Sequence, residues 1–194
     1  MKLSKPEFRA MQSLPRKLGQ RFFEMSMFRH MGLDVQNKDV LEIGCGSGYG
    51  AYLLNQLDPK SYIGLDVMPE QIALAKKKYP QFQFIAQDAE DLSQFEDASK
   101  DTVIIFGVLH HILGWRKAID EIARVLKPNG SLFLEEPRGV DIKFFDAIFR
   151  WGHPDTDFGF KAMETHLTSR GLVIQSKQWT PLLTMYHAAK TRGS

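Results

Sequence analysis

The chain has 194 residues, of which 43% are hydrophobic and 25% are charged, and its net charge is +2. This length and composition suit one domain with a buried core, and no stretch approaches the roughly 18 consecutive apolar residues that a membrane-spanning helix needs. The single cysteine, Cys45, excludes an intramolecular disulfide and a multi-cysteine metal cluster. Because the N-terminal residues show no secretory signal, we expect a cytoplasmic protein.

Positive charge is concentrated in residues 1–30. Seven Lys or Arg residues and two Glu residues give this segment a charge of +5, which leaves −3 for the remainder. We predict a helical arm over residues 1–37, made of amphipathic helices that Pro15 interrupts and that close over a ligand site. Its apolar residues recur at mostly three- and four-residue steps: Phe8, Met11, Leu14, Leu18, Phe22, Met25 and Phe28. The charge is compatible with a solvated helix face or with weak contact to an anionic membrane surface.

Residues 38–138 alternate between strand-like and helix-like segments, which is typical of a parallel sheet covered by helices on both faces. The predicted strands are 39–43, 62–65, 82–86, 102–106 and 132–135. The predicted helices are 50–57, 69–78 and 115–126, and residues 127–130 are predicted to form the turn that ends the last of them. We therefore expect an α/β fold, a doubly wound Rossmann-like sheet of about seven mostly parallel strands.

The chain after residue 138 does not continue the regular alternation of predicted strands and helices. Residues 139–171 form an aromatic-rich insertion in which we predict helices over 142–151 and 160–170. Residues 172–190 are predicted to close the sheet with an antiparallel hairpin of strands 172–178 and 182–188. We interpret residues 192–194 as the remnant of a purification-tag linker, and the whole chain as a single domain.

A glycine-rich run follows the first predicted strand and precedes a helix. Gly44, Gly46 and Gly48 allow the backbone to turn sharply and to approach a ligand closely. Gly46, Gly48 and Ala51 also match the spacing of a dinucleotide-binding loop, with Asp66 placed twenty residues after Gly46 as a ribose-binding carboxylate. The spacing alone leaves NAD and other nucleotide cofactors open.

Glu42 precedes the glycines and extends the run to E-x-G-x-G-x-G, which resembles the first motif of the class I S-adenosylmethionine-dependent methyltransferases. Later motifs of that family are matched in order by residues 63–68, 87–92, 106–112 and 123–132. The resemblance covers roughly residues 38–137. It implies S-adenosyl-L-methionine as the cofactor, S-adenosyl-L-homocysteine as its product, and a methyltransferase of the small-molecule type.

The same resemblance implies roles for individual residues. Asp66 corresponds to the acidic residue that holds both ribose hydroxyls, and Val67 and Met68 to residues that lie against the adenine face. Asp88 corresponds to the acceptor of the adenine amine, and the Ala89 N–H to a donor to the ring. Glu42 would help to hold the methionine amino group. The remaining implied contacts are Gly44, Cys45 (through its backbone), Gly46, Gly48 and Phe106.

Two adjacent histidines, His110 and His111, follow the fourth predicted strand, where the methyl group would emerge. An imidazole titrates near neutrality, so these residues are the candidate general base for an acceptor that loses a proton as it attacks. The alternative is that they bond to the backbone and shape the loop. Glu136 and Arg138, beyond the fifth strand, are expected to form an ion pair that faces solvent; the alternative is that they face the acceptor.

Features that the sequence lacks narrow the range of acceptor molecules to be expected. The chain lacks the Pro-Pro-aromatic motif of amino-methylating DNA enzymes after the fourth strand and the several cysteines of arsenic methylation, and its body is slightly acidic. We therefore expect a small, apolar or lipid-like acceptor, no nucleic acid partner and no metal, with the arm and the insertion as walls of the acceptor site. The alternatives are an NAD-dependent oxidoreductase and a cofactor-binding module without turnover.

Overall fold

A computed structural model describes residues 13–138 and 157–192. It contains a seven-stranded sheet made of β1 (Asp39–Ile43), β2 (Ser61–Asp66), β3 (Gln83–Ala86), β4 (Lys100–Phe106), β5 (Leu126–Pro137), β6 (Leu172–Trp179) and β7 (Leu183–Lys190). The described α-helices are α1 (Leu14–Gly19), α2 (Met25–His30), α3 (Tyr49–Asn55), α4 (Pro69–Lys78), α5 (Trp115–Val125) and α6 (Phe160–Ser169).

The strands are arranged in the order β3-β2-β1-β4-β5-β7-β6. Strands β1 to β5 pair in parallel, whereas β7 runs antiparallel to both of its neighbours, β5 and β6. The predicted fold class, mostly parallel with an antiparallel closing hairpin, is confirmed. Because β1 and β4 lie in the middle and are covered on both faces, their residues form continuous buried runs.

Helices cover both faces of the sheet and form two apolar layers. On one face α5 buries Trp115, Ile119 and Ile122 completely, as its three- and four-residue spacing predicts. On the other face Phe28 of α2 and Leu54 of α3 are fully buried. Together these layers fix the carboxyl ends of the central strands, which is where the candidate site lies.

The predicted turn over residues 127–130 is wrong, because these residues belong to β5. Leu126 already pairs with Lys100 of β4, and a register shift follows before the regular pairing resumes at Ser131. Asn129 has a positive φ of 63°, and a Cβ on Gly130 would lie 2.8 Å from the Lys127 carbonyl oxygen. The turn residues therefore form an irregular start to the strand.

The arm also differs from its prediction at Pro15. Ser13 caps α1 through a 3.4 Å bond from the Arg16 N–H, and Pro15 lies in the first helical turn, where its missing N–H is not needed. The helical path then continues through a π-helical turn, Gln20–Glu24, into α2. Pro15 therefore starts the helix and does not interrupt it.

The closing hairpin is confirmed, with a turn in which the Thr180 N–H donates to the Leu183 oxygen over 2.8 Å. The predicted helix over 142–151 lies outside the described residues. The predicted helix over 160–170 corresponds to α6. Within residues 13–138 and 157–192, no helix is long and apolar enough to cross a membrane.

Candidate functional site

A cavity opens at the carboxyl ends of β1, β2, β3 and β4, beside α1 of the arm. In a doubly wound sheet this edge is the usual ligand site. The predicted cofactor-binding residues that line the cavity are Glu42, Gly44, Cys45, Gly46, Asp66, Val67, Met68, Asp88, Ala89 and Phe106. Gly48 is the one member of the predicted set that is not on this wall.

The glycine-rich loop takes a backbone shape that favours glycine. Gly44 and Gly46 have positive φ values of 74° and 51°. A Cβ on Gly44 would overlap the Val108 side chain, whereas the Cβ position of Gly46 faces open space within 4 Å. Burial raises the pKa of the Cys45 thiol well above its usual range, so this thiol is not a ready nucleophile.

Gly48 packs close to two aromatic side chains and does not line the cavity. It stands at the start of α3 with a φ of 85°, and a Cβ there would lie 2.9 Å from the Phe84 ring and 3.0 Å from the Tyr79 ring. These contacts give Gly48 a packing reason for being glycine.

Asp66 ends β2 with both carboxylate oxygens engaged by the backbone. Oδ2 accepts from the Gly46 N–H over 2.9 Å, and Oδ1 accepts from the Met68 N–H over 2.8 Å. Burial raises the pKa of Asp66, against the opposing effect of the two N–H donors. Each oxygen keeps a further lone pair, so the side chain can also accept from a ligand hydroxyl.

Glu42 is buried near the end of β1. Its Oε2 accepts a 2.6 Å hydrogen bond from the Tyr62 hydroxyl. Burial raises the pKa of Glu42 to about 7, and the nearby Asp66 charge adds to this rise. A Cβ on Gly50 would collide with the Glu42 carboxylate, so the first turn of α3 leaves space for this side chain.

Asp88 and Ala89 follow β3 at the far side of the cavity. Asp88 is exposed, and its Oδ1 accepts a 3.0 Å bond from the Glu90 N–H, which fixes the turn. Ala89 and Met68 are buried, and Val67 is 44% exposed at the rim. The arrangement combines a polar acceptor with apolar walls, as a planar base requires.

Gln71 of α4 is a further cavity residue that the sequence analysis did not single out. It is buried, and within the described part of the chain its Oε1 has no hydrogen-bond partner. A buried acceptor of this kind is costly unless a donor reaches it. Together with the carboxylates of Glu42, Asp66 and Asp88, it makes a wall that suits a ligand rich in hydroxyl and amino donors, as S-adenosylmethionine is.

The side chains of His110 and His111 face different environments in the structure. His111 lines the cavity, whereas His110 is buried behind it with Nδ1 2.6 Å from Oε2 of Glu136. Glu136 is fully buried, so the expected solvent-facing pair with Arg138 is wrong. Arg138 instead donates to the Thr180 carbonyl over 3.3 Å.

Sequence reasoning also missed the polar face of the arm. The arm residues that line the cavity are Arg16, Lys17 and Gln20. The apolar arm residues lie elsewhere: Met25 and Phe28 are buried in the core, and Leu14, Leu18 and Phe22 are exposed. Phe8 and Met11 lie outside the described residues. The only sequence signal for this polar face is the spacing of Arg16, Lys17 and Gln20, because residues three and four positions apart lie on the same side of a helix.

Arg16 connects the arm to the sheet. Its Nη1 lies 2.5 Å from Oε1 of Glu24, and its Nη2 lies 3.7 Å from Oε2 of Glu135 at the end of β5. Burial raises the pKa of both carboxyl groups, and Arg16 opposes that rise. The Arg16 guanidinium therefore lies within ion-pair distance of two buried carboxyl groups, those of Glu24 and Glu135, beside the cavity.

Comparison with known proteins identifies the family of this domain. Residues 41–134 match the family model described as a methyltransferase domain. The phthiotriol/phenolphthiotriol dimycocerosates methyltransferase of Mycobacterium tuberculosis is 42% identical over 101 residues, which are 50% of this chain and 37% of that protein. The chain thus aligns with well under half the length of this curated relative.

Solved structures share the fold at low identity. The PH0226 protein of Pyrococcus horikoshii superposes with a TM-score of 0.78 and 19% identity, covering 97% of this chain and all of that one. An S-adenosylmethionine-dependent methyltransferase of Mesorhizobium loti gives a TM-score of 0.71 at 15% identity, over 86% and 97% of the two chains. The family match and the curated relatives, one of which is named a probable S-adenosylmethionine-dependent methyltransferase, select S-adenosylmethionine over NAD as the cofactor, and residues 41–134 form a methyltransferase domain of the class I S-adenosylmethionine-dependent type.

Proposed function

We propose that this protein transfers the methyl group of S-adenosylmethionine to a small, apolar or lipid-like acceptor. The observation that carries the proposal is one shared cavity, in which Glu42, Asp66 and Asp88 open onto the same space as the apolar residues after β4. The lipid-like class is supported by the mycobacterial relative, whose name refers to phthiotriol and phenolphthiotriol dimycocerosates.

In this proposal the cofactor lies along the carboxyl ends of β1 to β4. Asp66 accepts from the ribose hydroxyls while it holds the Gly46 and Met68 N–H groups. Asp88 and the Ala89 N–H contact the adenine. Glu42 holds the methionine amino group, because a buried carboxylate suits an ammonium ion.

The acceptor end is formed by residues that follow β4. Phe106, Val108, Ile112 and Leu113 make an apolar wall, and His111 adds one imidazole to it. The bound sulfonium supplies an already activated methyl group, so the chain has only to align the acceptor and exclude water. Since His111 lines the cavity and His110 does not, we assign the general-base role to His111.

Two measurements test the proposal. Isothermal titration should show binding of S-adenosylmethionine and of S-adenosylhomocysteine, and absence of both from a folded protein would contradict it. Methyl-labelled S-adenosylmethionine should then transfer label to members of a panel of apolar phenols, quinones and amines. Binding without transfer to any of them would favour the cofactor-binding module.

His111→Gln tests the base separately. For a phenol acceptor we expect a 100-fold or larger loss of kcat with little change in cofactor affinity, since general-base catalysis contributes roughly 10²- to 10⁴-fold. His30→Gln, at an exposed position on α2, is the matched control. Unchanged phenol methylation in His111→Gln would remove the base from the proposal.

We also propose that the helical segment 14–22, made of α1 and the start of the π-helical turn, contacts an anionic lipid surface from which an acceptor enters. Leu14 and Phe22 are 67% and 66% exposed, and Leu18 is 44% exposed. Arg21 is exposed beside Phe22, and Lys17, which also lines the cavity, is half-buried in the same segment, so apolar and basic groups are combined on one helical segment. Such a combination favours binding in the headgroup region of anionic membranes.

Co-sedimentation with phosphatidylglycerol vesicles at low salt tests this contact. We expect binding that Phe22→Ser weakens and that high salt abolishes. Leu182→Ser, at another exposed apolar residue in the β6–β7 turn, should leave binding unchanged. Failure of the unmodified protein to sediment with these vesicles would end this part of the proposal.

A further inference from the structure

Glu136 connects the end of β5 to the 3₁₀ turn Leu109–His111. The carboxylate is fully buried. Its Oε1 accepts from the Leu109 N–H over 2.7 Å, and its Oε2 accepts from the His110 N–H over 3.4 Å. The same Oε2 lies 2.6 Å from Nδ1 of His110. One side chain therefore holds the turn at three points.

This contact fixes the state of the His110 ring. Both oxygens of Glu136 already accept from backbone N–H groups, as a carboxylate does, so we assign the hydrogen between Oε2 of Glu136 and Nδ1 of His110 to the imidazole. A buried carboxylate that bonds to Nδ1–H sets both the tautomer and the orientation of a histidine. His110 is thus a rigid element of the wall.

His110 in turn packs against its neighbour. The ring centroids of His110 and His111 are 4.0 Å apart with an interplanar angle of 37°. The His111 backbone N–H also donates to the Val108 oxygen over 2.9 Å, which closes the turn. Because His111 lines the cavity, the ring beneath it and the turn around it determine where its imidazole stands.

We propose that Glu136 and His110 are positioning residues that hold the His111 imidazole at the acceptor end of the cavity. The inference rests on the proposed function and deepens it. As an acceptor hydroxyl attacks, its proton passes to a ring nitrogen of His111. The oxygen electron pair forms the bond to the methyl carbon, and the electrons of the broken S–C bond remain on the sulfur of S-adenosylhomocysteine.

Nuclear magnetic resonance of ¹⁵N-histidine-labelled protein with S-adenosylhomocysteine tests the positioning without an acceptor. In the unmodified protein we expect an exchange-protected Nδ1–H signal from His110. In Glu136→Gln the amide can accept from Leu109 only by turning its NH₂ group toward His110, which removes the Nδ1–H tautomer. We expect that signal to be lost and the ring shifts and titration midpoint of His111 to move with it.

The pair of His166 and Asp120 provides a matched control. Nε2 of His166 lies 2.7 Å from Oδ1 of Asp120, on α6 and α5. Asp120→Asn should change the His166 signals and leave His111 unchanged. A folded Glu136→Gln variant in which His111 keeps its shifts and its titration would overturn the inference.

A second variant covers the case in which Glu136→Gln does not fold. His110→Asn keeps a donor for Glu136 but removes the ring beneath His111. We expect the His111 signals to move in this variant as well, and unchanged signals would again overturn the inference. Failure of the proposed function has a different signature, because the unmodified protein would then bind neither S-adenosylmethionine nor S-adenosylhomocysteine in isothermal titration.

Discussion

The Tyr62 hydroxyl donates a 2.6 Å hydrogen bond to Oε2 of Glu42, at the buried end of the first strand. This single donor offsets only part of the cost of burying the carboxylate, and the pKa of Glu42 rises to about 7. Glu42 therefore changes its charge in the physiological range. If it holds the methionine amino group, as proposed, cofactor affinity must follow that change.

We predict that S-adenosylmethionine binds more tightly as the pH rises from 6 to 7.5. Below its pKa Glu42 is protonated and attracts an ammonium ion weakly; above it the carboxylate is ionised. The gain in affinity is up to about eightfold, which is the increase in the ionised fraction of a group with a pKa near 7. Isothermal titration across this pH range measures it.

Glu42→Gln should remove this pH dependence, because the amide still accepts from Tyr62 but does not ionise. Glu70→Gln, an exposed carboxylate in the first turn of α4, is the control and should retain the dependence. A Glu42→Gln protein whose affinity still rises with pH would show that another group is responsible.

Asp66→Asn is predicted to weaken binding of S-adenosylmethionine roughly 10- to 100-fold. Both Asp66 oxygens accept from backbone N–H groups, so an asparagine would turn an NH₂ group toward either Gly46 or Met68. Losing one charge-assisted hydrogen bond costs about 1.5–3 kcal/mol. Isothermal titration would measure the change, and Asp58→Asn on the surface should bind normally. Equal affinity in the two variants would argue against Asp66 as a ribose ligand.

The sequence predicts the part of the site that depends on strand ends. Glu42, Asp66 and Asp88 each come at or just after the end of a strand, and parallel strands bring their carboxyl ends to one edge. Their shared position on the cavity wall follows from local order along the chain. The glycine loop is predictable for the same reason, since its backbone turns are a local property.

The parts that could not be predicted depend on side-chain direction or on distant contacts. His110 and His111 are neighbours in a 3₁₀ turn, and no periodicity decides which one faces the cavity and which one faces Glu136. Arg16 and Glu135 are separated by most of the chain and meet only because the arm crosses the sheet edge. The predicted interruption at Pro15 is wrong because proline stops a helix in its interior but is favourable in the first turn, where Pro15 lies.

Gly48→Ala is predicted to destabilise the fold by roughly 2–4 kcal/mol. A φ of 85° is strained for alanine, and the added Cβ would press on the rings of Phe84 and Tyr79. Gly19→Ala is the matched control, since nothing lies within 4 Å of its Cβ position in the helical arm, and it should stabilise by about 0.5–1 kcal/mol. Urea unfolding measures both changes. A neutral Gly48→Ala would mean that the loop can relax without cost.

Arg16→Met is predicted to destabilise the fold by about 3 kcal/mol at pH 8, because it leaves Glu24 and Glu135 buried without their cation. The pKa values of both acids are already raised by burial, so the folded state keeps protons that the unfolded chain releases. Stability therefore falls as the pH rises from the ordinary carboxyl range to those raised values.

Removing Arg16 raises both pKa values further, which increases that loss at high pH. The destabilisation should consequently be largest at pH 8 and smaller at pH 5, because the raised pKa values favour the protonated, uncharged carboxyl groups as the pH falls. Urea unfolding at the two pH values measures the difference, with Arg21→Met at an exposed position on the same helical segment as the control. A loss of stability that is equal at pH 5 and pH 8 would mean that Arg16 stabilises the arm by packing, and not by neutralising the two acids.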